Sequence, residues 1–148
     1  MLNFETGDVL KAVESGVVLA HVCNNKGGWG KGFTGVLSRW DSGPEKLYRL
    51  RTTVKGLGLV SFAPVAEGAF VANMVAQDGY KTAYNPVPLN YEALKECLKT
   101  VNEFCEQSGL RIVAPVFGCS LGGGNRDKVE QIIREFVKVP ITVYDFIE

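Results

Sequence analysis

The chain has 148 residues, of which 46% are hydrophobic and 22% are charged. This size and composition predict one globular domain over residues 1–148 and exclude a disordered, collagen-like or disulfide-scaffold protein. Sixteen basic and sixteen acidic residues leave no net charge. General nucleic-acid binding, which relies on clustered cations, is therefore not expected, and any phosphate ligand must be recognised locally.

Neither a leader nor a membrane span is indicated. No basic segment followed by an apolar run opens the chain, and no window of about 18 apolar residues occurs. We therefore expect a cytoplasmic, monomeric protein without membrane association. The four cysteines show no CxxC spacing, so neither a metal nor another cofactor is expected.

Short apolar runs alternate with segments of helical periodicity, which is typical of an α/β protein whose largely parallel sheet is covered by helices on both faces. The runs on either side of residues 66–68 are so close that they predict an antiparallel hairpin, which makes the sheet mixed. The predicted strands are residues 2–5, 17–22, 58–64, 69–76, 111–116 and 141–146.

Helices are predicted over residues 44–51, 91–107 and 126–138. Pro44 suits the start of the first, Gly109 the end of the second, and Asn125 the N-cap of the third. Shorter helical segments are expected after Asp8 and after the glycine cluster that ends near Phe33.

Three loops follow predicted strands, where ligands of open α/β sheets usually bind. The first contains Asp8, which would either cap a helix or meet a ligand. The second, residues 21–33, has four glycines in six positions, a density that predicts positive φ angles or a ligand close to bare backbone. The third, residues 118–125, precedes a helix and would offer backbone amides to an anion, the alternative being a flexible connector.

Two nucleotide-binding patterns are present only in part. Residues 30–35 satisfy GxGxxG, but they do not follow the strand directly, as a dinucleotide-binding turn requires. A Walker motif fails because Asn25 replaces its first glycine and Gly32 replaces its Ser or Thr.

Three polar residues have both a chemical and a structural interpretation. His21, the only histidine, would transfer protons near neutral pH or anchor a loop by hydrogen bonding. Asp78 would be a second acid or base, or part of an Asp-Gly turn. Asn24 would bind sugar hydroxyls or cap a turn.

Taken together, residues 7–10, 21–33, 73–77, 118–125 and 143–146 resemble a macrodomain, and more narrowly the subgroup of ADP-ribose-1″-phosphate phosphatases and ADP-ribosyl hydrolases. The shared features are an HxCN segment followed by a glycine cluster that contains Trp-Gly. This resemblance implies a three-layer α/β/α sandwich that binds ADP-ribose at the strand ends.

The resemblance also implies roles for individual residues. Asp8 and the amide of Val9 would contact adenine, and His21 would be catalytic, with Asp78 as a second candidate. Asn24 would meet the distal ribose. The remaining ligand-binding positions would be Gly27, Gly28, Trp29, Gly30, Gly32 and Phe33 near that ribose, and Gly118, Cys119, Ser120, Leu121, Gly122, Gly123 and Gly124 around the diphosphate.

The activity implied is removal of phosphate from ADP-ribose-1″-phosphate. The alternatives are a non-catalytic reader of ADP-ribose or ADP-ribosylated macromolecules, and a hydrolase of ADP-ribosyl linkages. Similar proteins that release ADP-ribose from glutamates use a lysine after the strand that here ends in Ala76 and Gln77, and an aspartate where this chain has Gly122. A covalent lysine mechanism is therefore not expected.

Overall fold

The computed structural model describes residues 1–50, 56–117 and 123–145. Six strands and four helices alternate along this part of the chain. The strands are Leu2–Thr6 (β1), Val17–Asn24 (β2), Val60–Pro64 (β3), Phe70–Gln77 (β4), Arg111–Pro115 (β5) and Ile141–Asp145 (β6). The helices are Phe33–Trp40 (α1), Gly43–Leu50 (α2), Tyr91–Ser108 (α3) and Arg126–Phe136 (α4).

The strands form one mixed sheet in the order β1-β6-β5-β2-β4-β3. All neighbouring pairs are parallel except β3 and β4, which form the predicted antiparallel hairpin. The mixed α/β class is thereby confirmed. Because β2 lies between β5 and β4, the loops that follow these three strands meet at one edge of the sheet.

Alternation along β2 sends side chains to two different layers. Val18 and Ala20 join the core beneath α3 and α4, whereas Val17 and Leu19 join a second core that includes Leu37 of α1. His21 continues the second series, so the strand itself directs its ring toward the side of α1 and α2. The sheet is thus covered on both faces, as the three-layer prediction requires.

Element ends follow local hydrogen bonds. Gly109 ends α3 with a φ of 68°, and Asn125 caps α4 by accepting a bond from the amide of Lys128, as predicted. The predicted extension of the last helix to residue 138 is wrong: the amides of Lys138 and Val139 donate instead to Asn102 Oδ1, at 2.7 and 3.1 Å. The other predicted bounds are within two residues of those observed, with residues 51 and 146 outside the described ranges.

The short helical segment predicted after Asp8 is a 3₁₀ helix of four residues, Val9–Ala12. Within the three described ranges, no helix is long and apolar enough to cross a membrane.

Candidate functional site

A cavity of about 530 Å³ opens at the edge where β2, β4 and β5 end. Its volume lies within the range of small-molecule sites, about 300–1,000 Å³. The residues that line it are His21, Val22, Cys23, Asn24, Gly28, Trp29, Lys31, Gly32, Phe33 and Thr34 from β2 onward, Gln77, Tyr80 and Lys81 from the last residue of β4 onward, and Pro115, Val116 and Phe117 from the last residue of β5 onward.

His21 lies at the base of the cavity and is hydrogen-bonded to a buried residue of the protein interior. It pairs with Asn73 across β2 and β4, and its Nε2 lies 2.6 Å from Asn73 Oδ1. Asn73 Nδ2 donates to the carbonyl of Pro44 and to Ser61 Oγ, at 3.0 and 3.3 Å. Since the Asn73 amide therefore presents its oxygen to the imidazole, His21 Nε2 carries the proton.

Burial decides the charge of His21. The side chain is 2% exposed, and desolvation lowers its pKa from 6.5 to about 4, although the hydrogen bond to Asn73 acts in the opposite direction. The imidazole is therefore neutral at pH 7, with its one N–H already donated. A role for His21 as a general acid is not compatible with this state, whereas Nδ1, whose polar neighbour among the described residues is the Cys23 sulfur at 4.0 Å, has a lone pair for a role as base.

Trp29 packs against other aromatic rings at the cavity wall. Its ring meets the His21 ring edge-on at 5.5 Å and the Tyr48 ring at 5.2 Å, and its Nε1 donates to Ser38 Oγ at 2.6 Å. These contacts favour a packing role for Trp29 beneath the glycine loop over stacking on a ligand. His21, Trp29, Tyr48 and Asn73 are called the cleft floor below.

Asn24 shapes the glycine loop. Its Oδ1 accepts from the amides of Lys26 and Gly28, at 2.8 and 3.1 Å, and its Nδ2 donates to the carbonyl of Gly28 at 2.9 Å. The predicted turn-capping role of Asn24 is thereby observed. Its predicted contact with a ribose remains a prediction, although Asn24 does line the cavity.

Tyr48 holds the same loop from α2, and the sequence analysis did not identify it. The hydroxyl donates to the Asn24 carbonyl at 2.7 Å and accepts from the Gly27 amide at 3.1 Å. Arg49 Nη1 adds a bond to the Gly27 carbonyl at 3.3 Å. The residues around a helical tyrosine do not indicate that its hydroxyl will bond to a loop more than 20 residues away.

The glycines of this loop adopt the conformations that their density predicted. Gly27, Gly30 and Gly32 have φ angles of 86°, 118° and 61°, which favour glycine. Gly28 is constrained by proximity instead, because a Cβ there would collide with the Tyr80 hydroxyl. Gly32 also precedes α1 without a side-chain cap, and the residues at the start of that helix, Gly32, Phe33 and Thr34, line the cavity.

Asp78 lies apart from the cavity. Its side chain is exposed, and Oδ1 accepts from Asn25 Nδ2 at 2.9 Å. Asn25 Oδ1 in turn accepts from the Gly79 amide at 2.9 Å, so the loops after β2 and β4 are joined here. The prediction of Asp78 as a second acid or base is not supported by this position, because the residue does not line the cavity with His21.

Asp8 caps the 3₁₀ helix, as its structural interpretation predicted: Oδ1 accepts from the Leu10 amide at 2.9 Å. Val9 is buried in the core. Neither residue lines the cavity, and their assignment to adenine stays a prediction.

The third predicted loop is described only at its end. Gly118, Cys119, Ser120, Leu121 and Gly122 lie outside the described residues. Gly123 has a φ of 67°, and a Cβ there would collide with the carbonyl oxygen of Pro86. Gly124 follows it, half-buried, before the cap residue of α4.

Lys31, Tyr80 and Lys81, together called the cleft rim below, line the same cavity and were not predicted. Neither lysine forms an ion pair in the described part of the chain. The described residues that line the cavity include no carboxylate. The cavity of this electrically neutral protein therefore carries two positive charges.

Among the residues described, no three His, Cys, Asp or Glu side chains form a metal-binding group.

Comparison with known proteins gives relatives over nearly the whole chain. No protein-family model matches. An uncharacterized 17.5 kDa protein of Enterobacteria phage T4 is 26% identical over 150 residues, covering 99% of this chain and 97% of that protein. A protein of unknown function from Bacteroides thetaiotaomicron is 37% identical, with a TM-score of 0.92 and 98% of each chain covered.

Two further solved structures are informative. A macrodomain protein from Streptomyces coelicolor is 34% identical, with a TM-score of 0.85, and the match covers 98% of this chain and 99% of that one. The DarTG protein of Thermosipho africanus, solved in complex with ADP-ribose, is 15% identical, with a TM-score of 0.75 over 97% of this chain and 41% of that one. At that identity the second match shows a shared fold alone.

Proposed function

Because the chain belongs to the macrodomain family, we propose that it binds ADP-ribose in the cleft and removes the terminal phosphate from ADP-ribose-1″-phosphate. The macrodomain fold, with its six-stranded mixed sheet, provides the scaffold. ADP-ribose bound to DarTG, which has the same fold, supports the choice of ligand.

The observation that carries the proposal is the charge of the cavity. It contains Lys31 and Lys81 without a compensating carboxylate among the described residues that line it, and the uncapped N-terminus of α1 opens onto it. Cations and free helical amides favour phosphate groups. A neutral protein that concentrates positive charge in a 530 Å³ cavity is suited to a small anionic ligand.

Within this proposal the ligand extends across the strand ends. Asn24 and the glycines from Gly27 to Gly32 would border the distal ribose, and Asp8 with Val9 would bind adenine. The loop over residues 118–124 would hold the diphosphate through backbone amides. These assignments rest on the resemblance, supported for Asn24, Gly28 and Gly32 by their position at the cavity.

The proposed reaction is hydrolysis of a phosphate monoester. The oxygen of a water molecule attacks the phosphorus as the water loses a proton, the bond between phosphorus and the ribose oxygen breaks, and that oxygen takes a proton from solvent as it leaves. The proton lost by the attacking water is returned to solvent. The products are ADP-ribose and inorganic phosphate. His21, neutral and lining the cavity, would accept a proton from the attacking water at Nδ1.

Two assays on the purified protein test the proposal. Calorimetric titration with ADP-ribose should give a saturable heat, and incubation with ADP-ribose-1″-phosphate should release inorganic phosphate. Replacing His21 by Ala should lower phosphate release by about 10²- to 10⁴-fold, the usual contribution of a general base. Binding without release would identify a reader, and no binding at millimolar ADP-ribose would refute the proposal altogether.

A further inference from the structure

Lys31 and Lys81 reach one cavity from two neighbouring strands. Lys31 belongs to the loop that follows β2, and Lys81 to the loop that follows β4, its partner in the sheet. Both lysines are exposed, and within residues 1–50, 56–117 and 123–145 no acidic side chain pairs with either. Two lysines without an ion pair among the described residues thus line the same cavity.

The backbone that carries each lysine is held in place. The Lys31 carbonyl accepts from Thr34 Oγ1 at 2.9 Å, and Thr34 Oγ1 accepts from the Gly30 amide at 2.8 Å. On the opposite loop, Asn85 Nδ2 donates to the carbonyls of Asp78 and Tyr80, at 2.9 and 3.1 Å. Only the side chains of the lysines therefore need to become ordered when an anion binds, which lowers the entropic cost of binding.

The lysines lie near the part of the loop assigned to the distal ribose. Tyr80, which precedes Lys81, lies against Gly28 so closely that a Cβ on Gly28 would collide with its hydroxyl. Lys31 follows Gly28 by three residues in the same loop. The diphosphate, by contrast, is assigned to the loop before α4. The positive charge of the cavity is therefore associated with the ribose end of the ligand.

We propose that Lys31 and Lys81 together bind the phosphate on the distal ribose, so that the cleft selects phosphorylated over unphosphorylated ADP-ribose. This inference rests on the proposed function. It makes the two lysines specificity-determining residues, because they would contact a group that ADP-ribose itself lacks. A phosphate monoester carries up to two negative charges, which two ammonium groups match.

The test compares two ligands that the protein cannot turn over. One is ADP-ribose, and the other is its 1″-methylenephosphonate, in which a CH₂ group replaces the oxygen between C1″ and phosphorus. Calorimetry gives the dissociation constant of each ligand for the wild type, Lys31→Met, Lys81→Met and the double variant. Lys46→Met is the matched control, since Lys46 is exposed on α2, outside the cavity, and likewise lacks an ion pair in the described ranges.

We expect the wild type to bind the phosphonate about a hundredfold more tightly than ADP-ribose, and each single variant to lose about tenfold of that preference. The double variant should bind the two ligands about equally, and Lys46→Met should behave as the wild type. Far-UV circular dichroism of each variant establishes that it is folded.

Three results would overturn the inference, and they are distinguishable. An equal loss of affinity for both ligands in the double variant would indicate that the lysines bind the diphosphate, which both ligands contain. A wild type without preference, or a double variant that binds both ligands as tightly as the wild type does, would remove the lysines from recognition of the terminal phosphate while leaving ADP-ribose binding intact. Absence of binding by both ligands to the wild type would refute the proposed function, and this inference with it.

Discussion

His21 and Trp29 of the cleft floor line the same cavity as the residues of the cleft rim, but the polar groups of the floor and the rim differ in how far they are bonded within the protein. On the floor, His21 and Asn73 are buried, and the donors and acceptors of Asn73 are bonded within the protein. On the rim, Lys31 and Lys81 are exposed and, among the described residues, without an ion pair. The difference indicates that the floor fixes the shape of the site and the rim supplies its charge.

The largest effect is expected from Asn73 on the floor. Asn73→Leu would deprive the His21 N–H and the Ser61 hydroxyl of their hydrogen bonds to Asn73 in a region where Asn73 is fully buried. Each buried unsatisfied group costs about 1–3 kcal/mol, so the free energy of unfolding should fall by about 4 kcal/mol. Urea denaturation measures it, with exposed Asn3→Leu as the control. A loss below about 1 kcal/mol would show that the floor is not held by this network.

The next largest effect is the loss of folding stability at acidic pH. Because burial lowers the pKa of His21 from 6.5 to about 4, the unfolded chain binds the proton first as the pH falls. The contribution of His21 to stability is therefore complete above pH 6.5 and is lost as the pH approaches 4. The loss should be about 3 kcal/mol, since a tenfold change in proton affinity is about 1.4 kcal/mol.

Two measurements check this expectation. The pH dependence of unfolding should be shallower in His21→Gln than in the wild type between pH 4 and 6.5. Since the chain has one histidine, its imidazole resonance in a proton NMR spectrum is also easily assigned. A titration midpoint near the ordinary 6.5 would contradict the buried, neutral state of His21.

The smallest effect should come from Tyr48, which connects the floor to the glycine loop. Tyr48→Phe removes the hydroxyl that donates to the Asn24 carbonyl and accepts from the Gly27 amide. We expect ADP-ribose to bind about tenfold more weakly, because the loop conformation that binds the ligand becomes about 1.4 kcal/mol less stable. Tyr84→Phe, at a fully exposed tyrosine, is the control. Unchanged affinity in Tyr48→Phe would mean that the loop keeps its shape without α2.

Local signals predicted most of the fold. Short apolar runs predicted all six strands, and the short spacing around residues 66–68 predicted the antiparallel pair. The caps at Asn125 and Gly109 depend on a few neighbouring residues, and both were predicted correctly. The last helix ends before its predicted bound at residue 138 because Asn102, 36 residues away, accepts a hydrogen bond from the amide of Lys138. No local sequence pattern predicts such a contact.

The site was less predictable because its properties arise from distant pairings. His21 is neutral because burial lowers its pKa, and its proton lies on Nε2 because the sheet register places it beside Asn73, 52 residues later. Asp78 accepts a hydrogen bond from Asn25, 53 residues earlier, rather than lining the cavity. Lys31 and Lys81 are ordinary surface lysines in the sequence, and only the adjacency of β2 and β4 brings their loops to one space.

Mapping of backbone amide chemical shifts during titration with ADP-ribose tests the central claim, that this cavity binds the ligand, most directly. We expect saturable shifts concentrated at residues 28–34, 77–81 and 116–117, which lie around the cavity. The amides of α3, which packs in the core on the opposite face of the sheet from His21, should change little. Saturable shifts confined to another surface, or no shifts at millimolar ADP-ribose, would contradict it.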